Sequence, residues 1–435
     1  MPNSVNLTVN FTKPTKTTLF VKGVPASSEG SSASKSGGLG KLTKSQATPE
    51  NKGFQPPYCT KNKQGVGARL HSYILQDQSA KLLPQERVCN CLKRRIDKHK
   101  NRTVMFNEAR KKTNWGNLQR CGSVWSCPVC AKQITEERRV EMGQLIKYWE
   151  QQENSDIKLM TLTFSHSKDE PLKVLLRKLK NAITMFFGGR QFKDLSKLCK
   201  IQYKVRGLEV TYGSNGWHPH FHILLLTKDT DDLAYAYRDR LAKYWMHCCE
   251  SKGLKSPSMK HGLDIRDGSY AQEYVAKWGL DYEMTKGHVK RGRKESLSPF
   301  DLLQLSIEDQ EIFEKLPSKL WQEFAISMKG ARQLVWSRGL KKLVGIGEKS
   351  DEEIANETDE ESITLREVDQ ITFDLLIKYK KRHEFLEWQK RDFLNGCYGS
   401  GETEQNLIAL FERYIAELPD GQSEFIHACK SLVER

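Results

Sequence analysis

The run Trp217-His218-Pro219-His220-Phe221-His222, followed by Ile223-Leu224-Leu225-Leu226, carries the most distinctive spacing in the chain. On a strand, alternate residues share a face, so His218, His220 and His222 point one way while Phe221, Ile223 and Leu225 fill the other. Upstream, Tyr212-Gly213-Ser214-Asn215-Gly216 predicts a hairpin turn, because Asn-Gly tolerates the positive φ that tight hairpins need. A two-residue loop at Asn215-Gly216 sets Glu209 opposite His222, and a four-residue loop from Gly213 to Gly216 sets it opposite His220. A three-residue loop turns the carboxylate to the other face unless a bulge corrects it. Two imidazoles and one carboxylate make an open site for a divalent cation, which can polarise a phosphate oxygen as a Lewis acid. The competing reading is a strand whose histidines face solvent and bind nothing. His218 stands apart from the other two, since Pro219 can end the regular ladder between them.

A second constellation is Ser269-Tyr270-Ala271-Gln272-Glu273-Tyr274-Val275-Ala276-Lys277-Trp278-Gly279. On a helix, Tyr270 and Tyr274 are neighbours four apart and Lys277 lies one turn beyond Tyr274, while Glu273 sits about 100° around. A phenol is a weak nucleophile near neutrality, with an ordinary pKa of about 10, so an ammonium and a polarised phosphate would have to activate it. Its plainer alternative is an amphipathic helix whose Tyr, Val and Trp are core. A third feature is Cys121, Cys127 and Cys130, with Cys91 or Cys89 as a fourth thiol. Four thiolates suit a tetrahedral Zn²⁺ that organises a small folding unit; buried free cysteines are the alternative. Two basic runs complete the set. Leu92 to Lys112 includes Lys93, Arg94 and Arg95, and Lys286 to Lys294 includes Lys290, Arg291 and Arg293. Either run can lie along phosphates, which fixes position without reading sequence.

These side chains need a scaffold. Lys158 to Phe164, Lys204 to Tyr212 and Trp217 to Leu226 read as strands, rich in β-branched and aromatic residues. Pro171 to Gly189, Leu233 to Glu250 and Ser269 to Thr285 carry helical periodicity. The expected class is α+β, with a central antiparallel sheet backed by helices, an N-terminal cysteine module and a helical C-terminal region. The expected divisions are a disordered Ser/Gly-rich basic arm over 1–55 and a cysteine module with its basic segment over 70–150. A catalytic domain over 151–347 and an acidic linker with helices over 348–435 follow. The formal net charge is +16 over 435 residues, which favours polyanionic partners. Apolar runs are far shorter than the roughly 20 residues a spanning helix needs, and the first residues lack an export signal. A cytoplasmic setting is therefore expected, where cysteine clusters bind metal rather than form disulfides.

The ordered set Thr161 to Phe164, Glu209 to His222 and Tyr274 to Lys277 resembles the HUH endonuclease superfamily, and within it the replication initiators of rolling-circle plasmids. HGLDIRDG at 261–268, SPFDLL at 298–303 and GARQLVWSRGLKK at 330–342 add to the likeness, which covers roughly residues 91–353. The resemblance implies an antiparallel palm, with Mg²⁺ or Mn²⁺ at His220, His222 and Glu209. It implies Tyr274 as the nucleophile on DNA, Lys277 as its basic neighbour and a structural role for the cysteines. Relatives close the reaction with a Glu or a second Tyr one turn from the nucleophile. Here Tyr270 occupies that position and Glu273 adjoins Tyr274. The implied activity is strand nicking and joining at single-stranded or hairpin origin DNA, with host helicase and polymerase as partners. A transposase of the same chemistry, or a zinc-containing DNA-binding regulator without catalysis, are the alternatives.

Overall fold

The computed structural model describes residues 66–108, 111–228, 236–267, 296–356, 362–397 and 401–417. The N-terminal arm lies outside them. A five-stranded antiparallel sheet positions the histidines. Its strands are β3 (Asp156–Leu162), β4 (Ile201–Gly213), β5 (Gly216–Thr227), β6 (Leu263–Arg266) and β7 (Leu334–Trp336), in the order β6-β3-β5-β4-β7. The class is α+β, as the residue patterns predict.

β5 is central, and its apolar run is buried on both faces. On one face Phe221, Ile223 and Leu225 join Met160 and Leu162 and pack with Leu175, Leu179 and Ile183 of the Leu172–Gly188 helix and Trp245 of the Arg238–Ser251 helix. On the other face Leu224, Leu226, Leu159 and Val205 meet Met142, Leu145, Ile146 and Trp149 of the Pro128–Glu150 helix. That helix covers only the lower half of its face. Above the row of Leu224, the same face carries Thr161, His222, His220 and Glu209 by strict alternation. One strand thus supplies core below and chemistry above.

The hairpin register is Tyr212 opposite Trp217 and Glu209 opposite His220, with Ser214 and Asn215 at the turn. Gly216 has φ +86°, and a Cβ there would meet the Lys168 backbone at 2.9 Å, so both conformation and space demand glycine. Pro219 stays in the strand opposite Val210. The β3 pairing ends at Leu162 and Phe221, so no β3 ladder bond is lost at the proline.

A second sheet joins the cysteine-bearing segment to the chain after residue 348. Its strands are β1 (Arg102–Asn107), β2 (Lys112–Gly116) and β8 (Ser362–Val368), with β1 in the middle and both pairings antiparallel. The segment after residue 348 therefore shares a sheet with the cysteine-bearing segment. The acidic stretch is itself packed: Ile354 and Ala355 of the Asp351–Asn356 helix are buried, Asp351 pairs with Arg138 at 3.0 Å, and Glu352 pairs with Arg87. Its charges complement basic partners of this same unit. The region beyond is helical at Gln370–Lys378, Arg382–Asn395 and Glu402–Ala416, as expected, but a strand leads into it.

Candidate metal centres

The hairpin register brings Glu209 Oε2 to 3.4 Å from His220 Nε2 and 3.2 Å from His222 Nε2. The three potential ligand atoms lie within 4.8 Å of one another. Thr161 of β3, directly opposite His222, has its hydroxyl 3.0 Å from His222 Nδ1, which leaves Nε2 directed at the carboxylate. His220 Nδ1 lies 3.2 Å from the His218 carbonyl, so its Nε2 is likewise turned to Glu209. In both rings one nitrogen is engaged by the scaffold and the other faces the cluster, the arrangement a metal-binding imidazole requires.

The electrostatics follow from this closeness. Burial alone would raise the Glu209 carboxyl, but the two imidazoles hold it well below the ordinary carboxylate range. Burial would lower His220, and the Glu209 carboxylate outweighs it and raises the imidazole. An ionised carboxylate beside two imidazoles, with the upper sheet face uncovered by the Pro128–Glu150 helix, is a donor set fitted to a divalent cation. His218 is not part of this set. Its ring stacks on His220 at 4.8 Å and on His166 at 4.9 Å, and His166 Nδ1 lies 2.8 Å from the Asn215 carbonyl. Residue spacing gives no sign of His166 or of the Thr161 contact, because both depend on which strands lie side by side.

Tyr270, Glu273, Tyr274 and Lys277 lie outside the described residues, as do Lys290, Arg291 and Arg293. What is described is where the flanking chain runs. Asp264 of β6 pairs with Thr161, whose other neighbour is His222. After the gap, Leu297 exchanges backbone hydrogen bonds with Tyr212 of β4 at 2.7 and 2.9 Å. β6 ends at Arg266, opposite Leu159 and two residues below Thr161, and the described chain resumes at residue 296 beside the hairpin end of β4.

The second centre is built from thiols. Cys91 follows the turn Arg87–Asn90, Cys121 follows β2, Cys127 caps the Pro128–Glu150 helix and Cys130 sits in its first turn. All four are buried. Sulfur separations are 3.5 Å for Cys91–Cys130 and 3.7 Å for both Cys121–Cys130 and Cys127–Cys91. A disulfide would bring sulfurs to about 2.05 Å, whereas a tetrahedron with Zn–S bonds of about 2.3 Å spaces them by about 3.8 Å. Between Cys89 and Cys91 the geometry chooses Cys91, since the Cys89 thiol turns away to the Ala80 and Leu83 carbonyls. Hydrogen bonds from the other three thiols hold Cys130 well below its ordinary value, while burial pushes Cys127 up. The side-chain amide of Gln76 reaches Cys127 Sγ at 3.4 Å.

Among the basic residues, Lys93 is turned inward and pairs with Asp77 at 3.2 Å. Arg94 is exposed, and half-buried Arg95 donates to the Lys100 carbonyl at 3.3 Å.

Comparison with known proteins adds the following. A family model described as "Replication protein" matches residues 112–386, a span that holds β2 to β8, three of the four cysteines and the histidine centre. A protein named "Protein rep" from Streptomyces lividans is 25% identical over 294 residues, covering 53% of this chain and 64% of that protein. Another "Protein rep", from Lentilactobacillus hilgardii, is 29% identical over 124 residues, covering 27% of this chain and 38% of that protein. The chain thus spans less than two thirds of the length of either relative. No solved structure matches.

Proposed function

This chain belongs to the replication protein family, and on that premise we propose that it initiates rolling-circle replication of a plasmid by nicking and rejoining one DNA strand. The observation that carries the reading is the Glu209–His220–His222 cluster, whose three potential ligand atoms lie within 4.8 Å of one another. Glu209, His220 and His222 would hold Mg²⁺ or Mn²⁺, which when bound supplies Lewis-acid polarisation of a phosphate oxygen. Tyr274 is the nucleophile. Its phenol gives its proton to solvent as the oxygen attacks the scissile phosphorus, a bond from phosphorus to the tyrosine oxygen forms, and the bond to the 3′ oxygen breaks. The products are a 5′-phosphotyrosyl enzyme and a free 3′-hydroxyl, which takes up a proton from solvent and primes host polymerase behind a host helicase. Lys277 stabilises the charge that gathers on the phenol and the phosphate. A second attack, by the oxygen of Tyr270 or by a water that Glu273 assists, releases the circle.

In this reading the thiol cluster holds a structural Zn²⁺, and Arg94, Arg95, Lys290, Arg291 and Arg293 line phosphates. Lys93 contributes less, because its ammonium is already paired with Asp77. The test uses a single-stranded origin oligonucleotide. Chelation should abolish nicking and Mn²⁺ should restore it. His222→Ala should lose cleavage while keeping DNA binding. Tyr274→Phe should lose the covalent adduct that mass spectrometry maps in the parent. An adduct on Tyr270 or Tyr282, or full cleavage by His222→Ala, overturns the assignment.

A further inference from the structure

The loop between residues 92 and 101 is held more firmly than a solvated basic loop requires. Leu92 N–H donates to the Gln119 carbonyl at 2.8 Å, Gln119 N–H returns to Arg94 O at 2.8 Å, and Ile96 N–H donates to Asn117 O at 3.2 Å. These bonds tie the loop's first half to the chain leaving β2. Asn117 then holds its second half. Its Oδ1 accepts from Asp97 N–H at 2.8 Å, and its Nδ2 donates to the carbonyls of Asp97, Lys100 and Asn101 at 3.0, 2.9 and 3.0 Å. Asn117 does this from a left-handed backbone, φ +54°, which asparagine tolerates better than most residues.

What the rigid loop presents is unusual. Arg94, Lys98, His99 and Lys100 are exposed, with Lys100 only loosely paired to Asp97 at 3.8 Å. Between them stands Ile96, 65% exposed, the most exposed large apolar side chain among the described residues. A single exposed isoleucine is ordinary on a surface. One fixed among cations on a backbone that has already given up its freedom is the arrangement of a preorganised contact. Apolar side chains flanked by Lys and Arg are how proteins press between base steps while cations hold the phosphates.

We propose that the loop from Arg94 to Lys100 is a preformed duplex-DNA docking element, with Arg94, Lys98 and Lys100 on phosphates and Ile96 pressed between base steps. The inference rests on the replication reading and adds a duplex-holding element separate from the nicking centre. Arg102, next in sequence, is excluded: it is buried, donates to Gln370 Oε1 at 3.0 Å and lies over the Phe373 ring.

The experiment uses the full chain, a short random-sequence duplex carrying 2-aminopurine, and a single-stranded origin oligonucleotide. The triple variant Arg94→Ala, Lys98→Ala, Lys100→Ala should weaken duplex binding at least tenfold. Its salt dependence should flatten by about 2 to 3 log units per log unit of salt, about 0.9 for each phosphate no longer neutralised. Ile96→Ser should keep most of the affinity and lose the rise in 2-aminopurine fluorescence that marks unstacking. Asn117→Gly keeps the backbone conformation and every charge but frees the loop, and should weaken duplex binding several-fold. Ile96→Ser and Asn117→Gly should nick the single-stranded oligonucleotide at the parent rate. Unchanged duplex affinity and salt slope in the triple variant overturn the proposal. So does an equal dependence on these residues for binding phosphatidylserine vesicles, which would mark a general anionic contact. Failure of the parent itself to nick overturns the catalytic reading instead, and the duplex arms report the loop independently.

Discussion

At the residue scale, the histidine centre is tuned by neighbours that never face its open side. Thr161 engages His222 Nδ1 at 3.0 Å and leaves Nε2 for a ligand. Loss of such outer partners weakens metal binding by about 10- to 100-fold. Thr161→Val should therefore weaken Mn²⁺ binding, measured by calorimetry, by at least tenfold, and Thr161→Ser should restore it. Equal affinity in Thr161→Val would leave the contact without a role. His166 and His218 differ from His220 in that burial disfavours their protonated forms. Burial lowers His166, and burial followed by the neighbouring His220 and His166 pushes His218 down to about 3. With folded values below the ordinary value of about 6.5, the unfolded chain binds more protons as the pH falls, so stability declines with acid. His220 has the opposite sign: its raised value gives a stabilisation already complete below the ordinary imidazole pKa. Loss of the Glu209 contribution begins only as the pH falls below its ordinary unfolded value. The window from about pH 6.5 to about 4.5 thus isolates His166 and His218. His166→Gln in metal-free protein should flatten the decline of melting temperature across it; an unchanged slope would refute the sign.

At the element scale, the Pro128–Glu150 helix carries a buried charge cluster whose partners come from far along the chain. Glu141 accepts from Lys341 Nζ at 2.9 Å and from Arg138 at 2.9 Å, and Arg138 also reaches Asp351. Glu141 and Lys341 are almost wholly buried. Removing one partner strands the other charge, at a cost of about 3–5 kcal/mol. Glu141→Ala should lower stability by that order in chemical denaturation, and Glu141→Gln by less; a loss under about 1 kcal/mol would mean the site admits water. Alternation along β5 makes the histidine face legible from the residue order alone, and the residue types of β3 and β4 do the same for its neighbours. The strand β8 is not legible in that way, because Ser362–Val368 gains its place only by pairing with β1, far earlier in the chain. The choice of Cys91 over Cys89 is hidden for a similar reason. Two thiols one residue apart look alike until the turn Arg87–Asn90 aims one at carbonyls and the other at Cys130.

At the scale of the whole molecule, the same helix links the two centres. Cys127 and Cys130 stand at its beginning, while Met142, Leu145, Ile146 and Trp149 on its later turns lie beneath the row of Thr161 and His222. The C-terminal region is tied to its beginning. Arg382, only 2% exposed, donates to Leu92 O at 3.0 Å and pairs with Asp77 at 2.9 Å, beside the Gln76 amide that reaches Cys127. Loss of the proposed zinc should therefore be felt first at the start of the helix, at Arg382 and at β8. The later turns keep their own supports, the Glu141 cluster and the apolar lower half of the sheet. Cys130→Ser should lose bound zinc, melt at a lower temperature, and exchange amide hydrogens faster over residues 362–397 than over Met142–Trp149. It should still bind Mn²⁺ within a few-fold of the parent. If exchange rises equally in both regions, or if Mn²⁺ binding disappears with the zinc, the two centres form one cooperative unit and the helix does not divide them.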